Sequence, residues 1–149
     1  MFAGTHHVCF TIANMDRSIA FYRDLLGLEL QNDWVSEAGY LRVMIPYPGL
    51  RLRLAFFRLP GTEMRLELIQ YLEPVGAPRE LPTNVPGAAH VCFDVDDIEA
   101  EYERLRRHGV TFNSAPQLIT SKANSGARGV YMLDPDGITI ELRQPPPRQ

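Results

Sequence analysis

A chain of 149 residues, 45% hydrophobic and 22% charged, suits one soluble globular domain with a sizeable core. Its formal net charge of −3 and the lack of a long basic run argue against a nucleic-acid partner, and no stretch has the apolar length of a membrane span. Met1-Phe2-Ala3-Gly4 does not start a signal peptide, so a cytoplasmic protein is expected, with Cys9 and Cys92 as reduced thiols.

Residues 6–12 alternate and are β-rich, which predicts a strand. Asn14 or Asp16 caps a predicted helix over about 15–26, whose apolar stripe is Met15, Ile19, Tyr22 and Leu26. Gly27 ends it. Strands are predicted at 28–35, 40–45, 50–58 and 64–71, broken by Pro46, Pro48, Gly49, Pro60 and Gly61. Residues 74–87 hold Pro74, Pro78, Pro82 and Pro86 and read as a linker. The cycle then restarts with a strand at 89–95. Asp96 and Asp97 cap a helix with the stripe Ile98, Tyr102 and Leu105, and Gly109 closes it. Strands follow near 110–113, 129–133 and 138–143, the last two joined by the turn Asp134-Pro135-Asp136-Gly137. Pro145-Pro146-Pro147 cannot extend a sheet.

The chain repeats itself. His7-Val8-Cys9-Phe10 recurs as His90-Val91-Cys92-Phe93, and Leu66-Glu67-Leu68-Ile69-Gln70 returns as Ile140-Glu141-Leu142-Arg143-Gln144. Such self-similarity defines two modules before any local assignment. Module one spans about 5–73, the linker about 74–87 and module two about 88–144. Side chains alternate along a strand, so residues two apart share a face. Val8, Phe10 and Ile12 then oppose His7, Cys9 and Thr11; Leu66 and Leu68 oppose Glu67; Ile140 and Leu142 oppose Glu141. The apolar faces should pack under the helices, leaving the His and Glu faces to line a cavity. Four ligands on four strands related by a pseudo-twofold would converge on one divalent ion. His6 is the rival to His7. The repeat register favours His7 and turns His6 to the helix side or a strand edge.

At these residues the chain resembles the vicinal oxygen chelate superfamily, which includes glyoxalase I, methylmalonyl-CoA epimerase, extradiol dioxygenases and the fosfomycin and bleomycin resistance proteins. The resemblance runs from His7 through Gln144. Its marks are His7 before Ser18-Ile19-Ala20-Phe21-Tyr22 and Leu26-Gly27, His90 before Asp96-Asp97-Ile98, and Asp134-Pro135-Asp136-Gly137 before Glu141. It implies an α+β fold of two βαβββ modules forming a curved, partly closed mixed sheet around a metal cavity. It also implies His7, Glu67, His90 and Glu141 as ligands of one ion: zinc, nickel, cobalt, manganese or iron.

Two imidazoles and two carboxylates leave open positions for a substrate with vicinal oxygens. The expected activity is a glyoxalase-like lyase or isomerase reaction through an enediolate, with Glu141 or Glu67 moving the proton. The epimerase resemblance also calls for an acid on the strand before Glu67. Residues 51–58 hold none, which counts against an acyl-CoA substrate. An alternative is an Fe(II) extradiol-type dioxygenase using His7, His90 and Glu141 alone. A third is a metal-free drug-binding protein, which retention of all four ligands opposes.

For the substrate itself, the polar segment 120–129 offers a lid whose Lys122 or Arg128 meets an anionic group. Cys9 and Cys92 share the ligand face as small substrate-side wall residues. Trp34, Tyr40, Met44 and Tyr47 serve as an apolar pocket or as core or dimer contacts. The expected partners are a small-molecule substrate and a second copy in a homodimer, because such sheets leave open edges.

Overall fold

The computed structural model describes residues 1–80 and 82–147. Contacts divide the chain into two units, Met1–Arg79 and Glu80–Gln149. Each carries its own mixed sheet, giving an α+β fold.

In the first unit, β1 (His7–Thr11) runs parallel to β4 (Arg65–Glu73). β3 (Arg51–Arg58) lies antiparallel to β4, and β2 (Glu29–Ser36) antiparallel to β3, so the sheet order is β1-β4-β3-β2. Between β1 and β2 lies α1 (Met15–Ile19), which widens into a π-helical segment at Ala20–Leu25 and stops at Gly27 with φ of 76°. Its face is the one the stripe anticipates: Met15 and Tyr22 are fully buried, and Tyr22 packs on Phe57 with ring centroids 5.9 Å apart. Leu66 and Leu68 of β4 are also fully buried.

The second unit repeats this plan. β5 (Val91–Asp94) runs parallel to β9 (Thr139–Gln144), β9 is antiparallel to β8 (Arg128–Leu133), and the order is completed by β6 (Thr111–Phe112). The short β7 (Gln117–Leu118) also pairs with β8. The helix α3 (Ile98–Arg107) buries Ile98 and Leu105.

The repeat extends to the helix caps and explains the two glutamines. Asn14 Oδ1 accepts from Arg17 N at 3.0 Å, and Asp97 Oδ1 accepts from Ala100 N at 3.0 Å. Gln70 Oε1 accepts from Met15 N at 2.9 Å, and Gln144 Oε1 accepts from Ile98 N at 3.0 Å. Each Glu strand therefore holds a free N–H at the start of its own helix through a glutamine three residues after the Glu, which fixes helix against sheet in both units.

One expected strand is a helix. Residues 40–45 lie in α2 (Gly39–Met44) and its C-cap Ile45. Tyr40, Val43 and Ile45 favour strands by local propensity, but tertiary packing decides. Leu41 and Ile45, four apart, lie on one helical face and pack on the buried cluster Leu50, Leu52 and Leu54, beside Ile69 and Tyr71. The rest of that helix is open: Tyr40 and Met44 are exposed. No helix among the described residues is long and apolar enough to cross a membrane.

Candidate metal centre

In the first unit, His7 heads β1, and its neighbour on the same face, Cys9, stands in register with Glu67 of β4. The result is an imidazole and a carboxylate aimed at each other, with His7 Nε2 3.2 Å from Glu67 Oε2. The second unit reproduces it. His90 directly precedes β5, Cys92 is in register with Glu141, and His90 Nε2 lies 3.2 Å from Glu141 Oε2. Both imidazoles are well exposed on the open side, while Glu67 is only 8% exposed.

This donor set suits a divalent ion. Among the described residues neither carboxylate pairs with a lysine or arginine. A largely buried carboxylate without a cationic partner is costly to hold. Imidazole nitrogen and carboxylate oxygen presented together would offset that cost by ligating a borderline cation. Each unit supplies one such pair, and among the described residues no three of His, Cys, Asp and Glu are gathered as a ready-made ion site.

Parity carries the site onto the neighbouring strands. Phe56 of β3 stands across from Glu67, and Tyr131 of β8 across from Glu141. Phe56 meets His7 edge-on at 5.7 Å, and Tyr131 tilts against His90 at 5.3 Å. Each imidazole thus has an aromatic wall, apolar in one unit and hydroxyl-bearing in the other. Burial, then the Glu141 charge, pushes the Tyr131 hydroxyl above its usual range, so it stays a neutral O–H beside that carboxylate. Alternation along 51–58 places Phe56 on the face of Glu67, a signal present in the sequence. Trp34 stacks on Phe56 at 5.8 Å and 29°, and Tyr47 meets Tyr71 at 6.0 Å. Trp34 therefore borders the site, whereas Tyr40 and Met44 do not join these ring contacts.

His6 differs from the sequence expectation. It precedes β1, so strand alternation does not govern it, and its ring turns toward the same side as His7. His6 Nδ1 lies 2.7 Å from His7 Nδ1, and its ring packs on Phe56 at 6.1 Å. Arg65 Nη1 donates to His6 Nε2 at 3.2 Å.

Each thiol stands beside the carboxylate of its own unit, Cys9 in register with Glu67 and Cys92 with Glu141. Burial, reinforced by Glu67, pushes Cys9 up to about 12; burial, reinforced by Glu141, pushes Cys92 up to about 11. Both are then thiols at neutral pH, unsuited to nucleophilic attack. At pH 8 an ordinary free thiol near 8.5 is roughly one-quarter ionised, whereas these fall by about two orders of magnitude or more. Iodoacetamide labelling of the native chain at pH 8 should accordingly be at least about tenfold slower than that of a small thiol, the loss of thiolate being partly offset by the greater nucleophilicity of a more basic one. Labelling at the rate of the small thiol would contradict this environment.

The 120–129 segment is a hydrogen-bonded loop. Ile119 N donates to Ala127 O at 2.8 Å, Gly126 N donates to Ile119 O at 2.9 Å, and Arg143 donates to Asn124 Oδ1 at 3.2 Å. Lys122 opens a 3-10 turn with φ of 51° and is exposed. Arg128 pairs with Glu99 and donates to Pro116 O at 3.2 Å, so its guanidinium is already engaged.

Residues 4–142 match the family described as the Glyoxalase/Bleomycin resistance protein/Dioxygenase superfamily. The chain belongs to that superfamily. It is 33% identical over 142 residues to a 2-epi-5-epi-valiolone epimerase from Actinomyces, covering 92% of this chain and 76% of that protein. It is 28% identical over 149 residues to the mitochondrial methylmalonyl-CoA epimerase of Mus musculus, covering 93% and 71%. Its fold is similar to that of a fosfomycin resistance protein from Listeria monocytogenes complexed with Mn(II) and sulfate, with a TM-score of 0.65 at 16% identity over 97% and 93% of the two chains. Relatives in this superfamily thus include enzymes, and at least one similar fold carries a divalent metal.

Proposed function

We propose that this protein is a divalent-metal-dependent isomerase or lyase that moves a proton at a carbon next to a carbonyl, on a small substrate with vicinal oxygens. The observation that carries the reading is the duplicated pair, His7 with Glu67 and His90 with Glu141, each at 3.2 Å and each in the same strand register. His7, Glu67, His90 and Glu141 are its proposed ligands. Bound there, the ion supplies Lewis acidity toward the substrate oxygens. The two epimerase relatives support proton transfer over oxygen insertion.

Glu141 is the proposed proton shuttle. Its side chain is 20% exposed, against 11% for Glu67, so it is the carboxylate that a substrate reaches more readily. Gly129 leaves room beside it: a Cβ there would lie 3.6 Å from Glu141 Oε1. Glu141 takes the proton from the carbon next to the carbonyl. The C–H electron pair becomes a C=C bond, the carbonyl π pair moves onto oxygen, and an enediolate results. Return of the proton by Glu141 to the former carbonyl carbon, as the α-hydroxyl proton passes to the former carbonyl oxygen, gives the isomer, whereas an epimer requires a second acid on the opposite face. Tyr131 offers its O–H beside this transfer. β3 presents Phe56 rather than an acid opposite Glu67, so a one-carboxylate shuttle fits this chain better than the two-acid arrangement expected for an acyl-CoA epimerase.

The test is turnover in D2O under argon with a panel of α-hydroxyketones, dihydroxyacetone first. Deuterium should enter the carbon next to the carbonyl without dioxygen. Activity that consumes dioxygen and requires Fe(II) would replace this reading with the extradiol-type one.

A further inference from the structure

We propose that Arg65 is the substrate's anion-binding residue, taking a carboxylate or phosphate group beside the oxygens held near His7 and Glu67. The proposal rests on the functional reading above and adds the substrate's charge to it. Arg65 lies two residues before Glu67 on β4, so both share the ligand face, and it stands directly across from His7. Its guanidinium carbon sits 5.8 Å from the Phe56 ring centre, and Nη1 donates to His6 at 3.2 Å. It is therefore held beside the first His–Glu pair by the rings of Phe56 and His6.

What sets Arg65 apart is its partners. The other strand arginines are engaged by carboxylates: Arg51 with Glu37, Arg53 with Asp33 and Asp16, Arg58 with Glu29, Arg128 with Glu99 and Arg143 with Asp94. Among the described residues Arg65 meets none. A guanidinium has five N–H donors in a fork that matches the oxygens of a carboxylate or phosphate, and here one donor is used by His6.

The second unit has no counterpart. In the repeat register Thr139 takes the place of Arg65 and Ala89 that of His6. Two equivalent His–Glu pairs do not distinguish the two ends of a vicinal-oxygen substrate. A cation left without a carboxylate partner in one unit alone, Arg143 of the other being held by Asp94, would break that equivalence.

The test is calorimetric titration of the metal-loaded chain with matched ligands, with emission of Trp34, the chain's one tryptophan, as a second readout. Dihydroxyacetone is compared with its phosphate ester, and 1-hydroxybutan-2-one with 5-hydroxy-4-oxopentanoate. The charged member of each pair should bind about tenfold or more tightly. Arg65→Gln should erase that preference and leave the neutral ketones unchanged, and Arg65→Lys should keep part of it. Equal binding of charged and neutral members by the parent, or a preference that survives Arg65→Gln, overturns the proposal. A preference that depends on Arg65 but ketone affinity that ignores the metal would sink the chelation reading and leave the anion assignment standing.

Discussion

Glu141→Gln should lower turnover by about a thousandfold while substrate affinity changes only a few-fold. General acid–base catalysis by a placed side chain is worth about 10²–10⁴ in rate, and an amide cannot take up the proton. The amide oxygen remains a ligand, so the ion stays and the substrate still binds. Glu67→Gln should be milder, within about tenfold, because Glu67 is the more enclosed carboxylate and is assigned to holding the ion. Deuterium exchange at the substrate carbon, measured for both variants, checks the order. If Glu67→Gln is the inactive variant and Glu141→Gln the active one, the shuttle has been placed in the wrong unit.

His7→Ala and His90→Ala should each lose the ion and the stability it confers. A ligand present at about a thousand times its dissociation constant stabilises the native state by roughly 4 kcal/mol through mass action. In the presence of metal, both variants should unfold at distinctly lower urea concentration than the parent. With chelator present, that gap should nearly close, because both imidazoles are exposed and bury little of their own surface. A gap that persists in chelator would mean that the histidines serve the fold rather than the ion.

Much of this was legible in the sequence because the chain states it twice. The tetrapeptides at His7 and His90 fixed where each module begins, and alternation placed Cys9 with His7 on one face and Val8 with Phe10 on the other. Those faces are the ones observed. The Gln70 and Gln144 echo was visible as pattern only; its reason, a side chain reaching the first N–H of a helix, is a tertiary contact. Three features stayed hidden. Residues 40–45 have a strand-like composition, and only the burial of Leu41 and Ile45 on Leu50, Leu52 and Leu54 shows why they coil. His6 lies just outside the strand, where alternation no longer dictates direction, so its ring beside His7 could not be read from parity. Arg65 was within reach, since it is two residues from Glu67, but its want of a carboxylate emerges only when the partners of the other strand arginines are known.

X-ray absorption at the metal edge of the cobalt- or zinc-loaded chain tests the ligand set most directly. The predicted first shell is two imidazole nitrogens and two carboxylate oxygens, completed by light atoms from solvent, and His7→Ala and His90→Ala should each retain almost no metal under the same loading. A shell with sulfur at about 2.3 Å, the zinc–thiolate distance, or full metal loading with an unchanged shell in either variant, would contradict the assignment of His7, Glu67, His90 and Glu141.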